Sequence, residues 1–439
     1  MAATMRRDEA FGAVHLLGMG ARGVTGLVEL THGALAGRAF GAVERVGGSV
    51  GGSVVGVVRA IHDATSWTAY RSVNAGLTVG AVVGGTVAAA RASGEGSLTE
   101  HRGAHTAIAL TNGLHGDRYA RWSHPLALGM AVRRDGRDVP VDADDLAAAF
   151  PEARPDLVIF LHGLVETEHS WDWRSAHVHG APDVTYGTLL EADHDCSAVY
   201  IRYNSGLAIA ENGTHLDALL GELVAAWPVP VRSVSLVGHS MGGLVCRCAM
   251  AARPWPPAGR SDGWTGEDGM AGSDHSSDWR ALLDATVWLG SPVDGAPMER
   301  GAVELAAFAE RVPEVSWLAA ILRSRSIGIQ DLHGRTTPDL PDGLVVRQFA
   351  VAAAMTPERF GLDDHLGDGL VGVGSARARR TAPPADHTGH PDDHHPVTVT
   401  VRGRWHQDLL NDPEVYRHLV QWLVRERPVG SVAVRPGRA

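Results

Sequence analysis

Gly238-His239-Ser240-Met241-Gly242 is the stretch whose reading decides the fold. It matches G-x-S-x-G, the nucleophile elbow, a sharp strand-to-helix turn that lifts a serine hydroxyl above the end of a sheet. Glycines are required there because the turn is strained and the flanking chain packs too closely for side chains. In a chain with 53 glycines the pentapeptide alone is a weak signal, so its neighbours matter. Arg232-Ser-Val-Ser-Leu-Val237 alternates and is rich in valine, which predicts a short strand entering the core. Gly243-Leu-Val-Cys-Arg-Cys-Ala-Met250 predicts the helix that leaves it.

A serine nucleophile needs backbone N–H donors for the developing oxyanion, supplied in part by a loop after an earlier strand. Leu157-Val-Ile-Phe-Leu161 is a continuous apolar run, suited to a parallel strand buried on both faces. It ends in His162-Gly163-Leu164, and the expected donors are the N–H groups of Leu164 and Met241. The acid and the base should then follow the serine in that order. Val397-Thr-Val-Thr-Val401 alternates as a last strand, and Arg402-Gly-Arg-Trp-His406 is the loop beyond it. Asp412 as N-cap with Pro413 at the first helical position then marks a helix start. Position therefore selects His406 from among 23 histidines. Leu344-Val-Val-Arg-Gln-Phe-Ala-Val351 reads as the preceding strand, and Asp363, Asp364 and Asp368 lie beyond it. Asp368 is preferred because Gly367 and Gly369 let a loop turn its carboxylate inward; Asp363 and Asp364 are the alternatives. Its task would be to fix the imidazole tautomer and stabilise the imidazolium.

With these pieces in place, roughly residues 124 to 426 resemble the α/β-hydrolase superfamily, and within it the lipase and serine-esterase group. The carriers are Leu161-His162-Gly163-Leu164, Gly238-His239-Ser240-Met241-Gly242-Gly243, Leu289-Gly290-Ser291-Pro292 with Gly295-Ala296-Pro297, Asp368-Gly369-Leu370-Val371, and His406. Val293-Asp294 departs from the pattern, standing where such lipases often carry a histidine and an apolar residue. The resemblance implies a triad of Ser240, Asp368 and His406, an oxyanion hole at Leu164 and Met241, and no cofactor or metal. His162, Gly163, His239 and Trp171 are expected to border the substrate pocket, with Trp173 as a further candidate. The implied substrate is a small-molecule or lipid ester. An acyltransferase using the same triad, or a non-catalytic hydrolase-fold protein that binds a lipid or a partner, are the alternatives.

The remaining pattern fits an α/β fold: a mostly parallel sheet with helices on both faces, a helical cap insertion and an N-terminal helical extension. Leu126–Val132 and Val139–Val141 flank Arg134-Asp135-Gly136, a hairpin signal that supplies an antiparallel edge. Asp144–Phe150 and Leu216–Trp227 read as helices; Ser197–Tyr203 and Asp284–Leu289 read as strands. The chain divides into residues 1–123, rich in Gly, Ala and Val; a catalytic domain over 124–426; and a tail over 427–439. Within the catalytic domain, 253–283 has the composition of a mobile loop. Apolar residues at helical spacing over 299–330 read as a cap over the pocket, or as a helix completing the core.

Net charge is −11 with no basic stripe, which excludes a nucleic-acid surface. Lysine is absent throughout. Cys196, Cys246 and Cys248 give no disulfide framework and read as core thiols. Asp386, His387, His390, Asp392, Asp393, His394 and His395 crowd a Pro-rich stretch that reads as a solvated loop with casual metal affinity. Met5-Arg6-Arg7 is followed at once by Asp8-Glu9 and by no clean apolar core, so no signal peptide is read and a cytoplasmic location is expected. Ser72–Ala90 carries no charge, and Gly76, Gly80 and Gly84 recur every four residues. A closely packed helical extension is the preferred reading; peripheral membrane or oligomer contact through these helices, and a true membrane span, are the alternatives.

Overall fold

A computed structural model of the chain describes residues 6–92, 94, 97–100, 102–253, 278–293, 326–332, 337–338, 340, 346–355, 368, 371, 373–376 and 396–424. The expected 299–330 cap falls almost wholly outside the described residues. So do the 253–283 loop up to residue 277, the 386–395 cluster and the 427–439 tail.

Eight strands among the described residues form one sheet: β1 Ala131–Arg134, β2 Arg137–Val139, β3 Asp156–Leu161, β4 Ser197–Arg202, β5 Ser233–His239, β6 Leu283–Leu289, β7 Arg347–Ala354 and β8 Val397–Arg402. Their order is β2-β1-β4-β3-β5-β6-β7-β8. β1 runs antiparallel to β2 and β4, and every other pair is parallel. Asp135 (φ 50) and Gly136 (φ 75) turn the β1–β2 hairpin in the left-handed region that such a tight turn demands.

The apolar run of β3 shows why the sheet is covered on both sides. Leu157, Ile159 and Leu161 face one core cluster, while Val158 and Phe160 face the other, as a side-chain period of two requires. The first cluster is closed by α3 (Ala143–Ala149), α6 (Ile209–Ala226) and α7 (Met241–Ala251). α6 turns Ile209, Leu216, Leu220 and Leu223 inward at helical spacing. Its Gly213 lets α7 approach so closely that a Cβ there would lie 2.3 Å from Cys248 Cβ. The second cluster is closed by α5 (Tyr186–Asp193) and the last described helix, Pro413–Leu423. Asp412 caps that helix by accepting from the Glu414 and Val415 N–H groups.

One expected strand is shorter than its sequence pattern. Leu126–Val132 alternates, yet strand pairing begins only at Ala131. The reason is Asn112 of α2 (Arg102–Arg121): its amide donates to Leu126 O at 2.9 Å and its carbonyl accepts from Leu128 N at 3.0 Å. Those backbone groups are satisfied by a side chain in place of a neighbouring strand, and Leu126 and Leu128 pack with Ala10, Ala92, Leu98 and Ile108.

The N-terminal extension is helical. α1 (Arg7–Arg91) is 85 residues long, and an unbent helix of that length would run about 128 Å. Its two ends nevertheless lie side by side. A Cβ on Gly18 would meet Ala81 Cβ at 2.3 Å, one on Gly85 would meet Phe11, and one on Gly84 would meet Val14. Arg22 donates to Thr78 Oγ1 at 2.7 Å, and the Phe40 and His62 rings stand 5.2 Å apart. The chain therefore reverses between Phe40 and His62 into two antiparallel arms, which small residues allow to touch. The base is tied down where the Glu9 carboxylate accepts from Ser97 Oγ and Leu98 N. The segment Val58–Arg91 is long and apolar enough to cross a membrane by length and composition.

Candidate active site

β5 delivers Ser240 to the end of the sheet in a conformation that L-residues rarely adopt, φ 52 and ψ −121. The turn holds because its surroundings determine it. Ser240 N donates to Leu289 O of β6 at 2.8 Å, and Gly243 N donates to Ser240 O at 3.2 Å. A Cβ on Gly242 would lie 2.5 Å from both Leu161 O and His162 O, and one on Gly238 would lie 2.4 Å from Gly243 N. Backbone meets backbone at both positions, so only glycine fits. α7 starts at the next residue, Met241, and the N–H groups of a first helical turn have no partner within the helix.

His406 follows β8 as the first residue of a short 3-10 turn, His406–Leu410, and is buried. Its Nδ1 lies 2.6 Å from Asp368 Oδ2, and its backbone N–H donates to Asp368 O at 3.2 Å. A carboxylate only accepts, so Nδ1 carries the proton and the basic lone pair sits on Nε2. Asp368 is held in turn, its Oδ1 accepting from Val371 N at 2.8 Å. Gly290, at φ +63, clears the ring's space: a Cβ there would lie 3.1 Å from His406 Cε1. Asp363 and Asp364 lie outside the described residues.

The loop after β3 passes directly over the elbow, since a Cβ on Gly163 would meet Ser240 Cβ at 3.0 Å. Gly163 N–H is given to Glu166 Oε2 at 2.7 Å and Val165 N–H to Ser205 Oγ at 3.2 Å, with half-buried Leu164 between them. Val165 has φ 55, costly for a β-branched residue, and is pressed against α2: a Cβ on Gly113 would lie 2.3 Å from Val165 Cγ1. The helical extension thus braces this loop from outside.

Three residues expected at the pocket wall turn inward instead. His162 is fully buried, with Nδ1 2.9 Å from Gly163 O and Nε2 accepting from Tyr203 N at 3.2 Å. Its ring stacks on Tyr203 at 4.3 Å, and the Tyr203 hydroxyl donates to His162 O. Burial holds its pKa below the ordinary imidazole value, so it is a neutral strut under the loop. Trp171 is fully buried in the core, edge-on to Phe160 at 5.1 Å and facing Tyr186. His239 is fully buried as well, bonded to Glu166 and to His406 O. In each case a hydrogen bond or a ring contact uses the side chain in packing, which a linear motif does not record. Trp173 remains exposed. Glu166 has no signal in the sequence beyond its place three residues after Gly163; only the folded loop brings it to the elbow.

Among the described residues no group of three or more His, Cys, Asp and Glu side chains could hold a metal ion. The cysteine thiols are unsuited to nucleophilic work, since burial pushes Cys196 up to about 12 and Cys248 to about 11.

A mostly parallel sheet, a strained serine between β5 and α7, and an Asp–His pair beyond β7 and β8 are now in place. The fold is that of an α/β hydrolase. No family model matches the chain, and no curated protein does. Solved structures that align with it include the mature form of a lipase from Bacillus licheniformis, at 17% identity over 62% of this chain and 92% of that one, with a TM-score of 0.38. Others are the EstA protein of Clostridium botulinum (12%, 62% and 87%, TM-score 0.37) and an α/β-hydrolase-fold protein of Chitinophaga pinensis (14%, 62% and 89%, TM-score 0.34). The fold assignment rests on the chain's own sheet and elbow.

Proposed function

We propose that the chain is a serine hydrolase of carboxylic esters, working through an acyl-enzyme. The observation that carries the reading is the strained Ser240 at the same sheet end as a His406 whose Nδ1 is committed to buried Asp368. In this reading His406 Nε2 takes the Ser240 hydroxyl proton as Oγ attacks the ester carbonyl. Asp368 stabilises the imidazolium that results. The tetrahedral oxyanion is held by the N–H groups of Leu164 and Met241, the Gly163 and Val165 N–H groups being used elsewhere. His406 then gives its proton to the departing alcohol oxygen, and the carbonyl reforms as an ester to Ser240. In the second half, water loses a proton to His406 and attacks, and Ser240 Oγ leaves with that proton.

Lipid-like acyl esters are the proposed substrate class. The α1 arm supports it by exposing Val73, Val79, Val82, Val83 and Val87 without a charged residue between Ser72 and Ala90, a face suited to peripheral contact with a lipid surface. The deciding experiment is hydrolysis of p-nitrophenyl esters from acetate to palmitate, wild type beside Ser240→Ala. Activity that peaks at one chain length and falls about 10⁴-fold or more in the variant is expected. Folded wild type inert at every length would remove the esterase reading.

A further inference from the structure

We propose that Glu166 and His239 form an ion pair that ties the oxyanion loop to the loop carrying His406, so that both keep their place around Ser240. The proposal rests on the serine-hydrolase reading, and the two residues act as positioning residues, without touching the reacting atoms.

The argument starts from donors and acceptors. His239 Nδ1 lies 3.1 Å from Glu166 Oε2, and its Nε2 lies 3.2 Å from the His406 carbonyl oxygen. A carboxylate and a carbonyl only accept, so both ring nitrogens must carry hydrogen, and a neutral imidazole has only one such N–H. His239 is therefore an imidazolium. Glu166 balances its charge, and the same Oε2 also accepts the Gly163 N–H at 2.7 Å. Burial disfavours charge on His239, but Glu166, the His406 carbonyl and Asp368 outweigh it, and its pKa is raised. Burial likewise opposes the Glu166 anion, yet His239 and the Gly163 N–H hold that carboxyl below its ordinary range.

Followed through space, the bonds make one connection. Gly163 donates to Glu166, His239 donates to Glu166 and to His406 O, and His406 donates to Asp368 from both its backbone and its ring. Its ends lie on loops that sheet hydrogen bonds do not join. β3 and β5 are neighbours, but β8 stands three strands from β5, about 14 Å at the usual strand spacing. The His406 loop must reach back over β6 and β7, and the His239 N–H meets it at the main chain. The two rings stand 4.8 Å apart. The chemistry needs the oxyanion donors and the base fixed relative to each other, and a displacement of about 1 Å can cost about 100-fold in rate.

The test compares Glu166→Ala with Glu166→Gln. The alanine removes the acceptor shared by Gly163 and His239. A glutamine keeps an oxygen for Gly163 N–H and offers an N–H to a neutral His239, which can still donate to His406 O. The expected result is a kcat for the best p-nitrophenyl ester lowered about tenfold or more in Glu166→Ala, with KM within about twofold, and substantial rescue in Glu166→Gln. The rate of fluorophosphonate labelling of Ser240 should fall in step with kcat. Independently of activity, long-range ¹H–¹⁵N spectra at neutral pH should show His239 protonated on both nitrogens in wild type and on one in Glu166→Gln. Wild-type kcat and labelling in folded Glu166→Ala, or a change confined to KM, would overturn the proposal. A single-tautomer His239 in wild type would overturn it too, and that spectrum decides the matter should the alanine variant not fold. Wild type that neither hydrolyses esters nor labels would instead sink the hydrolase reading, leaving the ion pair to be judged by the His239 spectrum.

Discussion

Glycine serves opposite ends in two regions of this molecule. At the Ser240 end of the sheet, Gly238 and Gly242 stand where backbone meets backbone, at 2.4 and 2.5 Å from where a Cβ would be. Along α1, Gly33, Gly37, Gly41, Gly56, Gly76 and Gly80 would place a Cβ in open space, with Gly18, Gly84 and Gly85 the close contacts between the arms. The first group lets a strained turn form, and its rigidity is the condition of the proposed chemistry. The second mostly weakens a helix, because each interior glycine costs about 1 kcal/mol against alanine. A residue type by itself therefore says little; what a methyl group would touch says much.

The largest contrast to test is between chemistry and fold. Asp368→Asn should lower kcat about 10⁴-fold while leaving thermal stability near wild type, measured by ester turnover beside calorimetry. Turnover within tenfold of wild type would detach Asp368 from the proposed triad. Next in size, Gly242→Ala should cost about 1–3 kcal/mol or more in urea unfolding, because its methyl meets the carbonyls of Leu161 and His162. Gly18→Ala should move the α1 arms apart at Ala81 and leave ester turnover unchanged. Loss of turnover there would mean that the arms and the site are coupled more tightly than the Gly113–Val165 contact requires.

Acid should weaken both regions, through different histidines. Burial lowers the pKa of His162 under the Gly163 loop and of His124 at the base of the extension, where it stacks on Tyr119. The unfolded chain takes up protons near pH 6.5, whereas the folded chain resists them. Their contribution is thus present above about pH 6.5 and is lost as pH falls towards the depressed folded values. His239 has the opposite sign: its raised pKa contributes below about 6.5 and is lost as pH rises through the folded value. Unfolding free energy should therefore fall from pH 7 to pH 5 in wild type, and more steeply once His239→Gln removes the opposing term. A flat profile would contradict the neutral, buried state of His162 and His124. The smallest effect expected is from Gly80→Ala, which should stabilise α1 by up to about 1 kcal/mol, read as slower amide exchange in that arm.

Much of this was legible in the chain. The apolar run Leu157–Leu161 and the valine-rich stretch before Ser240 specify strands through side-chain pattern, a local property. The N-cap at Asp412 with Pro413 is equally local, and so is the Asp135-Gly136 turn. Leu126–Val132 misled because a side chain 14 residues upstream of Leu126 took the hydrogen bonds a strand would have used. His162, His239 and Trp171 misled for a related reason: sitting beside a motif did not reveal that their rings point inward. Glu166 could not be singled out, since a carboxylate in a loop acquires meaning only from what lies opposite it.

The sequence by itself determined most of the strands and helices and which serine stands at the strained turn, because those depend on residues close together in the chain. Tertiary structure decided that Asp368 reaches His406, that Glu166 reaches His239, and that α1 folds back so that Gly18 meets Ala81. Those pairings join residues 38, 73 and 63 positions apart. Their cost is the ordering of all the chain between, and only the packed sheet and its two cores supply enough contact to offset it.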